Sequence, residues 1–232
     1  MKPIRSLVTG ANRGLGMALT RALLARGDRV VAACRHPGKA SELNGLAGEY
    51  PARLHLLPLD VADPKSHAQL ARELPLVCDG IDLLINNAGV LHSGERFGSV
   101  SAAHLEDSFR INAMGPLLLT QALASQLAEG ARIANISSEL GSISGLTRFG
   151  TPSYNISKAA QNMATVLLKE ALSARGIIVL ALHPGWVQTD MGGSGATISP
   201  EQSAEGLLRV IGGAALADSG QYLDWQGNSL AW

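Results

Sequence analysis

Cysteine is nearly absent from this 232-residue chain: Cys34 and Cys78 are the two present, and they form no C-x-x-C pair. Both sit in or beside apolar runs, which reads as buried thiols in a reducing compartment and leaves no disulfide framework. Aromatic residues make up 4% of the chain, too few for the stacking platforms that hold single-stranded nucleic acid. A surplus of either charge is missing as well, with 19 basic side chains against 19 acidic ones. A sequence-independent nucleic-acid binder needs a basic excess to contact phosphates, so that class is excluded, and an anionic membrane surface has nothing to attract. No apolar run approaches the ~18 residues of a spanning helix, and the opening MKPIRSLVTGANRG has no stretch suited to a signal peptide. None of the six histidines shows metal-ligand spacing, so no metal site is expected. A soluble, cytoplasmic protein that binds neither nucleic acid nor membrane is the expectation.

Glycine is what the chain has in excess: 26 residues, where a usage of roughly 7% would give about 16. Tight turns or close backbone approaches are therefore needed at several places. Short β-branched and aliphatic runs recur at Ile4–Val8, Arg29–Cys34, Arg53–Pro58, Ile81–Asn86, Arg132–Ser137, Ile177–His183 and Gln221–Trp225. Helical spacing fills Leu15–Arg26, Pro64–Leu76, Ala102–Leu127, Pro152–Ala174 and Pro200–Ile211 between them. Strand and helix alternating in this way imply βαβ units. The strand runs are apolar almost throughout, as when both faces of a sheet are covered. The expected fold is α/β, a single doubly wound (Rossmann) domain over residues 1–232 with a parallel sheet of about seven strands and helices on both faces. Ser199 before Pro200, and Thr151 before Pro152, are candidate helix N-caps.

Directly after the first strand run stands Thr9-Gly10-Ala11-Asn12-Arg13-Gly14-Leu15-Gly16, leading into the first helix. Glycines there let the backbone approach a pyrophosphate, whose charge faces the free N–H groups of a helix N-terminus. The second strand ends at Cys34, followed by Arg35. An acidic residue at that point would bond the ribose 2′-hydroxyl of NAD and repel a 2′-phosphate. Its absence, with Arg13 and Arg35 able to grip a phosphate through their guanidiniums, favours NADP(H) over NAD(H); for Arg35 the alternative is a solvated surface charge. Asp60-Val61 after the third strand could meet the adenine edge. Asn87-Ala88-Gly89 after the fourth supplies a tight turn at the carboxyl edge, where open parallel sheets bind ligands, though either could be a turn alone.

Tyr154 and Lys158 are four residues apart on a helical stretch and so share a face. A phenol titrates near pH 10, too high for easy acid–base work at neutrality, and a nearby ammonium would lower it. Ser137 and Ser138 end the fifth strand, where they could serve a turn or bring a hydroxyl to a substrate oxygen. Asn112 interrupts a helical stretch for which Asn is poorly suited, which suggests a buried hydrogen-bonding task. After the sixth strand, Pro184-Gly185 turns sharply and could carry Val187 and Thr189 towards a nicotinamide carboxamide.

Taken in order, T-G-x-x-x-G-x-G at Thr9–Gly16, N-N-A-G at Asn86–Gly89, Asn112, S-S at Ser137–Ser138, Y-x-x-x-K at Tyr154–Lys158 and P-G at Pro184–Gly185 resemble the short-chain dehydrogenase/reductase family over essentially the whole chain. The stretch Thr189–Gly193 and the ending Gln221–Trp232 further resemble its C-factor and sniffer-type carbonyl reductase branch. The resemblance implies Tyr154 as proton donor in carbonyl reduction and Lys158 as the group lowering its pKa and holding the nicotinamide ribose. It implies Ser138 as the substrate-oxygen ligand, and Asn112 as the anchor of a water-linked proton relay. Many members separate the serine and tyrosine by about thirteen residues, whereas here the gap is sixteen, so the intervening loop is reshaped. The substrate would be a small aldehyde, ketone or alcohol, and the assembly a homodimer. The short loop at 189–199, rich in glycine, would leave an open or mobile site, lined by Leu140, Phe149, Trp186 and Met191. His92 and Arg96 would be solvated at the rim. A nucleotide-binding signalling protein of C-factor type, with little catalytic role, is the competing reading.

Overall fold

The sheet of the protein, in a computed structural model that describes residues 3–232, holds seven parallel strands. These are β1 (Arg5–Thr9), β2 (Arg29–Cys34), β3 (Leu54–Pro58), β4 (Ile81–Asn86), β5 (Leu127–Ile136), β6 (Ile178–His183) and β7 (Tyr222–Asp224). Their spatial order is β3-β2-β1-β4-β5-β6-β7. Side chains along a strand alternate between faces, and the core divides accordingly. Val8, Val30, Ala32 and Ile85 face one hydrophobic cluster; Leu7, Val31, Ala33 and Leu84 face the other.

Helices α1 (Gly14–Arg26), α2 (Ser41–Glu49) and α7 (Pro200–Gly213) cover the first face through Leu19, Leu23, Leu43, Leu46 and Leu207. Helices α3 (Pro64–Glu73), α5 (Gly115–Ala122) and α6 (Pro152–Leu172) cover the second through Leu70, Leu119, Leu168 and Leu172. Helix α4 (Ala102–Phe109) packs on α6 and runs into α5 through a π-helical turn at Arg110–Met114.

Several features differ from the sequence expectation, among them the helical run Ala102–Leu127, which is divided into α4, the π-turn and α5 and leaves the α-helix at Ala122. Helix α2 has no counterpart in that expectation: SELNGLAGE is short and contains two glycines, and only Leu43 and Leu46 are buried. Strand β5 starts at Leu127, five residues before the apolar run that marks it, because Ile81 of β4 pairs with Leu127 ahead of a register shift. Thr151 is not a cap. Its backbone is left-handed at φ +43 and its hydroxyl donates to the Asn155 side chain at 3.0 Å. Ser199 does cap α7, in a reciprocal capping box with Gln202.

Candidate active site

Strand order reverses between β1 and β4, so the loops after these two strands diverge and leave a crevice at their carboxyl ends. A cleft of about 1410 Å³ opens there. The turn after β1 forms one wall. Gly10 and Gly14 adopt left-handed backbone, at φ +64 and +52, which a side chain disfavours. A Cβ on Gly16 would lie 2.1 Å from the Gly10 carbonyl oxygen, so α1 meets the turn too closely for anything larger. Helix α1 opens without a side-chain cap and without an acidic residue in its first turn. Its leading N–H groups therefore face the cleft unsatisfied by side chains, the arrangement that attracts an anion.

The N-N-A-G segment is bolted onto this turn. Thr9 Oγ1 accepts the backbone N–H groups of Asn87 and Ala88, each at 3.0 Å. Asn87 Nδ2 donates to the carbonyls of Thr9 at 2.9 Å and Gly10 at 3.2 Å. Gly10, Asn12, Arg13, Gly14, Leu15 and Gly16 line the cleft, as do Asp60, Val61 and Asn87 through Gly89. Thr9 does not: its buried hydroxyl is spent on the neighbouring loop. It joins two cleft-lining segments instead of lining the cleft.

At the far end Arg35 lines the cleft beside Cys34. His36, next along the chain, lines the same corner, as does Lys39, which sequence reasoning missed. Arg13 is held in an exposed ion pair with Asp190 at 2.8 Å, so its charge is partly matched from the loop at 189–199. Nothing in local spacing pointed to a contact 177 residues away in sequence.

The catalytic candidates converge from β5 and α6. Tyr154, Lys158 and Ser138 all line the cleft and all are buried. Burial pushes the Tyr154 phenol up to about 12, opposed by a hydrogen bond with the Ser138 side chain. Ser137 is committed elsewhere, donating to Asn162 Oδ1 at 2.6 Å, which separates the two adjacent hydroxyls. Burial also pulls the Lys158 amine down to about 7. Its Nζ donates to the Ile136 carbonyl at 2.6 Å and to Gln161 Oε1 at 2.9 Å, and lies 5.6 Å from the centre of the Tyr154 ring. Burial is the leading cause of the Tyr154 shift, no lowering by Lys158 enters it, and a phenol near 12 is protonated at neutral pH.

Asn112 does not line the cleft. Fully buried in the π-turn, it donates to the Val90 carbonyl at 2.8 Å and to Ser157 Oγ at 2.9 Å, and accepts from Val90 N–H at 2.8 Å. Its side chain thus ties the segment after N-N-A-G to α6. Two further supports escaped sequence reading. The Tyr222 hydroxyl donates to the Ser138 carbonyl, fixing the end of β5 from β7. Glu95 receives Ser153 Oγ at 2.7 Å and Ser153 N–H at 3.2 Å, so it caps α6 one residue before Tyr154.

Beyond β6, Pro184, Gly185, Val187 and Thr189 line the cleft. A Cβ at Gly185 would meet Ile198 at 2.3 Å. The glycines of the 189–199 loop serve close packing more than looseness. Gly192 sits against the Val187 carbonyl and Gly195 against the Trp186 ring, and Trp186 Nε1 donates to the Gly192 carbonyl at 2.8 Å. Leu140, Trp186 and Met191 border the cleft. Phe149 instead meets Phe97 edge-on in a separate apolar hollow. His92 is not simply solvated: it stacks on His104 with ring centres 4.2 Å apart and contacts Asp107 at 2.9 Å.

Residues 5–197 match the family model described as short chain dehydrogenase. The C-signal of Myxococcus xanthus is 44% identical over 159 residues, which cover 67% of this chain and 96% of that protein. The NADPH-bound carbonyl reductase from chicken fatty liver superposes with a TM-score of 0.93 at 38% identity, covering 100% of both chains. Carbonyl reductase Sniffer of D. melanogaster gives a TM-score of 0.95 at 33% identity, over 99% of this chain and 100% of that one.

Proposed function

The chain belongs to the short-chain dehydrogenase family, of the C-factor and Sniffer type, and on that premise we propose that it reduces a small aldehyde or ketone with NADPH. The observation that carries this reading is the convergence of Tyr154, Ser138 and Lys158 on one cleft beside an uncapped helix start. NADPH supplies the hydride when bound. Gly10, Gly14, Gly16 and the first N–H groups of α1 fit a pyrophosphate. Arg35, with Lys39 and Arg13, suits a 2′-phosphate, and no carboxylate stands at the end of β2 to repel one. Asp60 and Val61 would border the adenine, while Pro184, Gly185, Val187 and Thr189 would border the nicotinamide.

Ser138 Oγ holds the substrate oxygen and orients it towards the Tyr154 hydroxyl. Tyr154, protonated at neutral pH with its pKa near 12, gives its proton to the oxygen as negative charge develops there. An alkoxide is the stronger base, so the transfer runs downhill. Lys158 holds the ribose hydroxyls and supplies positive charge beneath the tyrosine. Asn112 acts through position, keeping Val90 and α6 in register. The exposed apolar stripe Ile156, Met163 and Leu167 on α6, with Phe109 and Met114 beside it, supports a homodimer through these helices.

The test is a panel of aldehydes and ketones offered with NADPH and NADH side by side, followed through loss of reduced-nicotinamide absorbance. Turnover with NADPH exceeding that with NADH supports the reading. Tight NADPH binding with no turnover on any carbonyl would favour the signalling alternative that similarity to the C-signal brings with it.

A further inference from the structure

Gln161 lies one turn beyond Lys158 on α6 and is fully buried. Its Oε1 accepts from the Lys158 ammonium at 2.9 Å, sharing that group with the Ile136 carbonyl at 2.6 Å. Its Nε2, closed from solvent, has no hydrogen-bond partner among the described residues. An amide N–H left unpaired in the interior is unfavourable. A leucine has nearly the same size and would pack this helix face without that penalty. Helix packing therefore does not account for the glutamine; the bond from Lys158 does.

We propose that Gln161 is a positioning residue that fixes the Lys158 ammonium and sets its proton affinity. The inference deepens the carbonyl-reductase reading, on which the role of Lys158 rests. An acceptor oxygen stabilises the charged amine over the neutral one. It matters most where no carboxylate does the same work, and the Lys158 amine is displaced by burial with no charged neighbour contributing. Titratable groups that share the cleft with it include Tyr154 on the same helix, and Asp60, Asp107, Glu139 and His183 at the ends of β3, α4, β5 and β6. With burial drawing Lys158 to about 7, its charge near neutrality is sensitive to each acceptor. Gln161 is also the outer end of a buried chain. Thr165 Oγ1 donates to the Gln161 carbonyl at 3.0 Å, Asn135 Nδ2 to Thr165 Oγ1 at 2.9 Å, and Asn86 Nδ2 to Asn135 Oδ1 at 2.8 Å. That chain anchors the α6 backbone at Gln161 to the sheet, so its side chain is held at a fixed place beside the amine.

The experiment is a pH titration of the full-length protein carrying lysine labelled with ¹³C at Cε, observed by NMR. The chain has five lysines, and a Lys158→Met variant identifies the resonance. Two variants of similar volume act on the amine with opposite sign: Gln161→Leu removes the acceptor and Gln161→Glu adds a carboxylate. The expected result is a Lys158 midpoint lowered by a unit or more in the first and raised by a unit or more in the second, and the alkaline limb of carbonyl reduction moves with it. A midpoint unmoved in both variants, or moved in the same direction in both, overturns the proposal. Should Gln161→Leu not fold, Gln161→Glu decides alone, an upward shift supporting the proposal and any other result refuting it. Opposite shifts in the two variants, with a wild-type protein that reduces no carbonyl, would remove the reductase reading and leave the link between Gln161 and Lys158 standing.

Discussion

Under the proposed function, Arg35 and Arg13 would carry different weight at the 2′-phosphate of NADPH. Arg13 already shares its charge with Asp190 at 2.8 Å, so a phosphate must compete with a carboxylate for it. Arg35 follows Cys34 at the end of β2, where the ribose of a dinucleotide would sit. A guanidinium–phosphate contact is charge-assisted and geometrically specific. Arg35→Ala is accordingly expected to weaken NADPH binding by about tenfold or more, and to change NADH binding little. Fluorescence titration with both nucleotides checks this, and equal losses for the two would remove Arg35 from phosphate recognition. Tyr154, Lys158 and Ser138 were legible in the sequence through the ordered motifs that resemble a known family, since Y-x-x-x-K spacing alone is common on helices and a serine pair at a strand end serves equally as a turn. Tyr222 and Glu95 were not: they act 84 residues from Ser138 and 58 residues from Ser153. Gln161 escaped for another reason, since glutamine is ordinary on a helix and only its complete burial marks it. Thr9 and Asn112 belonged to the right motifs, but their side chains join loops and do not face the cleft.

The start of α6 depends on a residue outside it. Thr151 is left-handed and makes no capping bond to the helix backbone, so the carboxylate of Glu95 receives Ser153 N–H, while also accepting from Ser101 N–H at 3.3 Å. Burial would raise its pKa, but the hydrogen bonds from Ser153 and Ser101 outweigh burial and hold the carboxyl below its ordinary value. A depressed folded value means that the contribution to stability is present above the ordinary carboxylate range and is lost as pH falls through the lower folded pKa. Glu95→Ala should cost about 1–3 kcal/mol at neutral pH, by loss of a cap and exposure of unmet donors. The deficit relative to wild type should shrink under acid conditions. Urea unfolding at neutral and acid pH measures both, and a deficit independent of pH would contradict the role. Because Tyr154 follows Ser153 directly, kcat for carbonyl reduction should fall more than KM rises. The strands were readable as elements because apolar residues run through them, with both faces buried in the central ones. Helix α2 and the early part of β5 were not, since SELNGLAGE and LAEGA carry glycine and charge, and tertiary contacts alone hold them in place.

For the molecule as a whole, one sheet gathers the glycine turn, the N-N-A-G segment and Tyr154, Ser138 and Lys158 around one cleft at its carboxyl edge. Fold class and sheet direction followed from alternating strand and helix; assembly rests on a surface. Met163 and Leu167 stand largely exposed on α6, with Phe109 and Met114 nearby, and an apolar stripe of this kind favours a symmetric partner. Leu167→Glu should convert a dimer into a monomer in sedimentation velocity while leaving the cleft intact; a wild-type protein already monomeric would refute the dimer. The central claim is that Tyr154 donates the proton to a carbonyl oxygen as NADPH delivers hydride. Single-turnover reduction by wild type and by Tyr154→Phe, with NADPH affinity measured on both, tests it most directly. The account predicts that the variant binds NADPH within about twofold of wild type and reduces the carbonyl at least ~10²-fold more slowly. A variant that reduces it at the wild-type rate would contradict the account.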